Sequence, residues 1–428
     1  MSGTIQPRCL AALMLLFSAP LAAQWTATGQ SVPQLAPFDT MMQDLMTPRN
    51  IPSGQIAVAL NGRLVLARGY TWNPGPNDRI VQPDSLFRLA SVSKPITATL
   101  INRLIQDGQL ALTDTIGQHV DLTPRPGATA DPRLATVSVR NLLEHLGGFP
   151  DPTLVGHDPV FRDRTVAQAL GIGLPLAHAD VMRYQFGDPL TSNPGTTYAY
   201  SNFGYKLLGR IVESAAGMPY ARYAERVFNP IGVWDMRLAR TLVQHRAPSE
   251  VAYFSALNGL TVMDNSNATV PREYGALNYD TMDAYGGWIA SAPELMRWMT
   301  NLDNPAAANA ILNQTSLDRM FGLPQNYPLP YTPGDYYYAQ GWQVRDYGAT
   351  GRNTWHSGSL PSTSTYIVRY RNGLEVAVLL NRRNESSGGE YNTLVGNGIN
   401  TAAAQVTSWP THDLFPSVLQ VIMRNGFD

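Results

Sequence analysis

The chain has 428 residues, 44% of them apolar and 15% charged, with 31 basic against 32 acidic side chains. That composition excludes a disordered, collagenous or coiled-coil protein, and the length suits two lobes around a core large enough to fold without disulfides. A formal net charge of −1, with no long run of either sign, leaves no footprint for nucleic acid or an anionic membrane surface.

Residues 1–23 carry one positive charge, Arg8, then an apolar run from Cys9 to Phe17, then small residues ahead of Gln24. This pattern predicts a cleavable signal peptide and a periplasmic or secreted protein, residues 24–428. No later stretch reaches the roughly 18 apolar residues of a membrane span, so no stable membrane insertion is expected. Cys9 is the single cysteine; its departure with the leader excludes disulfides, thiolate catalysis and cysteine metal sites.

From Gln55 the apolar residues alternate through Ile56, Val58 and Leu60, turn at Asn61-Gly62 and resume at Leu64 and Leu66, which predicts a hairpin. Helical spacing follows over Ile96–Leu104, Val139–Leu143, Phe203–Ala215 and Pro293–Met299. The proline- and glycine-rich segment 151–194 reads as a loop-bearing insertion. Residues 326–338 hold five tyrosines among prolines and glycines, suited either to a substrate-facing wall or to ordinary packing. A second hairpin runs from Tyr366–Tyr370 through Asn372-Gly373 into Leu374–Leu380. Strands at both ends and helices between them predict an α+β protein. Its antiparallel sheet is built from N- and C-terminal strands, about 36–86 and 290–407, beside a mostly helical lobe, about 87–289, with a tail over 408–428.

Lysine usage is uneven: Lys94 and Lys206 are the only lysines, all other basic residues being arginine. Where a permanent charge suffices this chain uses arginine, so a retained lysine points to an amine that must lose its proton. Lys94 stands in Ser91-Val-Ser-Lys94, one helical turn from a serine. A serine beginning a helix also has a free backbone N–H and a positive dipole end beside it, suited to an oxyanion on an attacked carbonyl. The bland alternatives are a capping hydroxyl and a surface charge. Lys206, in Phe203–Arg210, reads as part of a solvated helix face.

Two further patterns accompany it. Tyr198-Ala-Tyr200-Ser-Asn202 sets a tyrosine two residues before an asparagine where a loop meets a helix, and His356-Ser357-Gly358-Ser359 precedes the C-terminal hairpin. Tyr370-Arg-Asn372 and His145-Leu-Gly147 are shorter copies that read as structural. There is no G-x-S-x-G elbow, no H-E-x-x-H and no phosphate loop. The seven histidines show no ligand spacing, so neither a metal nor a cofactor is expected.

In this order, Ser91-x-x-Lys94, Tyr200-x-Asn202 and His356-Ser-Gly358 resemble the motifs of the serine β-lactamase and penicillin-binding superfamily. The nearest branch is that of class C lactamases and D-alanyl-D-alanine carboxypeptidases. Phe87–Lys94, Gly108–Asp114, Pro194–Asn202, Tyr285–Ser291 and Gln340–Trp342 extend the resemblance over most of the mature chain. It implies a β-lactamase-like fold with Ser91 as nucleophile, an oxyanion hole at the backbone N–H groups of Ser91 and Ser359, and proton transfer shared by Lys94 and Tyr200. Asn202 would bind the acyl side chain and orient Lys94, and His356, Ser357 and Gly358 would line the substrate. Arg345, rather than Arg352, is the candidate for a substrate carboxylate. Histidine at 356 replaces the lysine of most lactamases, and Leu143-Glu-His-Leu-Gly-Gly-Phe149 replaces a Thr-His-Thr-Ser-Gly pattern.

The function so implied is a secreted serine hydrolase with a small-molecule or peptide substrate. A peptidase or amidase on D-residue-containing or non-standard peptides ranks first, then a lactamase-like carboxylesterase, a β-lactamase and a non-catalytic peptide or penicillin receptor.

Overall fold

A computed structural model describes residues 25–74, 79–150 and 158–417; the expected leader, with Cys9, lies outside them, as do 151–157 of the insertion and the end of the tail. The described strands are β1 (Trp25–Thr28), β2 (Ser53–Leu60), β3 (Arg63–Trp72), β4 (Phe87–Arg88), β5 (Arg237–Leu238), β6 (Asn258–Leu260), β7 (Thr269–Pro271), β8 (Trp288–Ala290), β9 (Tyr336–Tyr338), β10 (Gln343–Asp346), β11 (Arg352–Leu360), β12 (Thr363–Arg369) and β13 (Leu374–Leu380). The described α-helices are α1 (Ala36–Met46), α2 (Ser93–Gln106), α3 (Val139–Leu143), α4 (Asp163–Leu170), α5 (His178–Gln185), α6 (Asn202–Ala216), α7 (Tyr220–Phe228), α8 (Asp283–Gly286), α9 (Ala292–Leu302), α10 (Gln314–Met320) and α11 (Glu390–Gln405).

Eight strands form one antiparallel sheet in the order β1-β3-β2-β13-β12-β11-β10-β9. The β2–β3 turn works because Asn61 and Gly62 both take positive φ, 51° and 77°, as a two-residue hairpin matched to strand twist requires. Strands from the two ends of the chain meet where β13 pairs with β2, Ala377 opposite Ala57. On this seam alternate residues face opposite sides. Val58, Val376 and Val378 join Phe38 and Met42 of α1 and Ile399 of α11 in one core, while Ala57, Ala377 and Leu379 face the helical lobe in another.

All four predicted helices are present, within α2, α3, α6 and α9. α6 starts where the Ser201 hydroxyl accepts from Gly204 N–H at 2.9 Å and stops at Gly217, in the left-handed conformation. The central helix α2 is buried almost all round from Ser93 to Asn102, which a single apolar stripe does not announce. Many elements escaped the periodicity, among them β1, the helices α1, α4, α5, α7 and α10, and α11, whose sequence is rich in Asn, Gly and Thr and buries only a narrow stripe. Among the described residues no helix is long and apolar enough to cross a membrane.

Candidate active site

Ser91 lies in a short 3-10 turn, Ala90–Val92, that leads from β4 into α2. Ala90 sits at φ 48°, a left-handed conformation that costs a residue with a Cβ about 1 kcal/mol or more and persists only when neighbours hold it. Those neighbours are close. Thr365 donates its hydroxyl to Leu89 O at 2.7 Å, and Trp288 N–H donates to Ser93 Oγ at 3.2 Å. Gly358 on β11 has to be glycine, because a Cβ there would stand 2.2 Å from Leu89 O. The His-Ser-Gly pattern thus ends in the one residue type that lets β11 lie against the Ser91 turn.

Lys94, fully buried on the first turn of α2, places Nζ 3.2 Å from Ser91 Oγ, and donates to Asn202 Oδ1 at 2.7 Å and to Tyr285 O at 3.0 Å. Burial lowers its pKa well below the usual lysine value, and Asp158 pulls the other way. A neutral amine has two hydrogens and one lone pair. With both hydrogens drawn to Asn202 and Tyr285, the lone pair is left for the Ser91 hydroxyl.

Tyr200 arrives from the segment ahead of α6, its ring centroid 4.6 Å from Lys94 Nζ and its hydroxyl facing Ser91. Burial raises the phenol's pKa, against the smaller, lowering effect of the Ser91 hydroxyl. It is held as a neutral phenol while the amine is pushed toward its neutral form.

His356 faces the same interior but not as a cation. Its Nδ1 lies 2.7 Å from Ser357 O, which can only accept, so Nδ1 carries the hydrogen and Nε2 accepts from the Tyr338 hydroxyl at 3.0 Å. Burial, then Lys94, push its pKa down to about 3. A folded pKa below the unfolded value of about 6.5 means that only the unfolded chain takes up a proton as pH falls between them. The stability this residue supports is therefore full above about pH 7 and is lost progressively as pH falls toward 3. We expect the unfolding free energy of the native protein to drop against that of His356→Gln by about 1.4 kcal/mol per pH unit between pH 6 and 4. Urea titrations of both proteins check this; a pH-independent difference contradicts a neutral His356.

Ser357 and Ser359 point to the opposite face of β11, as strand alternation requires, and Arg345, paired with Asn353, lies on that same face. Its guanidinium stands about 6 Å from the Tyr336 and Trp355 rings, and it is not among the side chains that touch Lys94 or Ser91. The β10 partnership covers β11 only from Arg352 to Trp355, so the edge from Ser357 to Leu360 has no strand on that side among the described residues. Asn202 also differs from its expected substrate-facing role: its amide nitrogen donates to Asp158 at 2.8 Å. Of the tyrosine-rich segment only Tyr338 reaches the site; Tyr327, Tyr331 and Tyr337 pack edge to face on one another, the bland alternative.

Three residues were misread or missed. His145, taken as a structural copy of the third motif, is buried with its ring 4.4 Å from Tyr200 and 4.5 Å from Tyr338, and its Nδ1 accepts from Ser201 N–H at 3.0 Å. The signal was the histidine of Leu143–Phe149, hidden because its flanking residues departed from the pattern. Lys206 is fully buried, not solvated: it donates to Thr281 O at 2.8 Å and lies 3.2 Å from His178 Nδ1, with its pKa lowered to about 8, chiefly by desolvation. It follows Asn202 by four residues, so the same face of α6 serves both. Asp158 carried no sequence signal.

A family model described as Beta-lactamase matches residues 38–397. "Protein flp" of Staphylococcus aureus (strain MW2) is 24% identical over 352 residues, 81% of this chain; the match spans 63% of that protein, less than two thirds of its length. "Penicillin-binding protein 4*" of Bacillus subtilis (strain 168) is 24% identical over 343 residues, covering 78% of this chain and 69% of that one. In three dimensions the chain resembles the D-amino acid amidase from Ochrobactrum anthropi SV3, with TM-score 0.64, 20% identity and coverage of 88% and 100%. The octameric penicillin-binding protein homologue from Pyrococcus abyssi gives TM-score 0.60, 22% identity and coverage of 89% and 80%.

Proposed function

The chain belongs to the Beta-lactamase family, and from that premise we propose that it is an exported serine hydrolase forming an acyl-enzyme at Ser91. One observation carries this: Ser91 Oγ, half-exposed, is contacted by a buried amine at 3.2 Å and by the Tyr200 phenol. In the proposed cycle Lys94 takes the proton as Ser91 Oγ bonds to the substrate carbonyl carbon, and the oxyanion forms toward the backbone N–H groups of Ser91 and Ser359. The Tyr200 phenol passes a proton to the leaving nitrogen or oxygen as its bond to carbon breaks. Water then enters by the reverse proton route and releases the acid.

For the substrate we favour an amide or peptide bond at a D-residue or other non-standard linkage; likeness to a protein named D-amino acid amidase supports it. A carboxylesterase is the second reading. The neutral, Tyr338-bound His356 supplies no fixed charge for a β-lactam carboxylate, which places lactam hydrolysis below both. A fluorophosphonate is expected to add one covalent mass to Ser91, and D-amino acid amides to turn over faster than p-nitrophenyl esters and nitrocefin. Ester turnover alone would select the second reading, and a labelled but inert protein a receptor. Absence of any label on Ser91 contradicts the acyl-enzyme itself.

A further inference from the structure

Asp158 stands at the end of a short chain of buried polar contacts that begins at the nucleophile. Ser91 Oγ touches Lys94 Nζ, Lys94 Nζ donates to Asn202 Oδ1, and Asn202 Nδ2 donates to Asp158 Oδ2 at 2.8 Å. The other Asp158 oxygen accepts from Val160 N–H at 3.2 Å. Both oxygens are thus met by donors, which together with Lys94 and Lys206 favour the carboxylate against the burial that raises its pKa.

The consequence lies in the amide between them. An asparagine amide can be turned either way round, and Lys94 by itself does not fix it: a neutral amine can accept from an N–H as well as donate to a carbonyl. A carboxylate can only accept. Asp158 therefore compels Nδ2 to face it, turns Oδ1 toward Lys94, and commits one of the two amine hydrogens. Tyr285 O takes the other, so the lone pair has one direction left, toward Ser91. Resting on the acyl-enzyme reading above, we propose that Asp158 is a positioning residue for acylation, acting through the Asn202 amide to aim the Lys94 lone pair at Ser91.

The charge of Asp158 acts on the same amine in the opposite sense to desolvation, stabilising the ammonium. Other charged groups share this space. Lys206 on α6 also faces Asp158, and Asp163 on α4 and Asp283 on α8 face Lys206. The Tyr200 and Tyr285 phenols feel the same carboxylate, while His145 and His356, both held neutral, face Lys94. Of these, Asp158 alone touches the amide that orients the base.

The test is the pH dependence of Ser91 labelling by a fluorophosphonate in the full-length protein, for the native chain, Asp158→Asn and Asp158→Ala. Asp158→Asn keeps the volume and an acceptor oxygen but removes the charge. Its acid limb is expected to move to lower pH by at least half a unit, because the amine loses the charge that favoured its protonated form. Asp158→Ala frees the amide, and its limiting rate at high pH is expected to fall about tenfold or more, with reagent affinity little changed. A merely structural carboxylate would move the limb through its charge alone and leave the limiting rate at high pH unchanged. Native and Asp158→Asn profiles that superimpose would overturn the inference even if the alanine variant fails to fold, while labelling of native Ser91 would leave the acyl-enzyme intact. A native protein that takes no label at Ser91 overturns both.

Discussion

Lys94→Arg is expected to cut Ser91 acylation by about 10³-fold or more, at every pH from 6 to 9. A general base contributes roughly 10²–10⁴-fold, and arginine cannot serve as one because its guanidinium does not deprotonate in this range. The site strengthens the effect. Lys94 is wholly enclosed and tied to Asn202 and Tyr285, so the larger, planar guanidinium can neither expose its charge nor take the same place between the two acceptors. Circular dichroism controls for folding, and the readout is the rate of covalent mass gain on Ser91. A residual rate within tenfold of the native one would show that the amine need not lose its proton, and would pass the base to Tyr200.

Arg88→Met is expected to destabilise the protein by about 3–5 kcal/mol, the cost of leaving a buried charge without its partner. Arg88 is 1% exposed and lies directly ahead of the nucleophile turn. Its guanidinium stacks over Tyr279 at 3.8 Å and Tyr253 at 4.3 Å, donates to Glu273 O at 2.9 Å, and faces Glu250 Oε1 at 3.5 Å. Methionine fills part of the volume but takes away the guanidinium that faces the buried Glu250 carboxylate, which keeps only weaker support such as the Ala247 N–H at 3.2 Å. The same change loosens the support of Ala90, whose left-handed backbone depends on its surroundings, so Ser91 labelling should slow as well. Denaturant unfolding gives the first number. Adding Glu250→Leu removes the stranded charge and is expected to recover a large share of the loss; no recovery would mean that the aromatic stacking, not the ion pair, carries the energy.

How much of this was legible before the structure follows the range over which each signal acts. The Asn61-Gly62 hairpin and the helices at Ile96–Leu104 and Phe203–Ala215 were readable because turn preference and apolar spacing are local. Helix α11 was not, since it is held by packing on α1 and the outer face of the sheet and has little helical preference of its own. In the site, Ser91, Lys94 and Tyr200 stood out through rare lysine and ordered motifs. Asp158 sits on an insertion with no pattern, and His145 in a segment whose flanks had changed.

That Ser91, Lys94 and Tyr200 belong together, and the order in which the chain presents them, could therefore be read from the sequence alone. Their protonation states could not. Whether Lys94 loses its proton, Tyr200 keeps its own, His356 stays neutral and Lys206 is enclosed depends on how completely α2, α6, α8 and β11 exclude water around them. Desolvation is summed over neighbours from every part of the chain, so no spacing between residues reports it, and only the assembled tertiary structure decides which group is the acid and which the base.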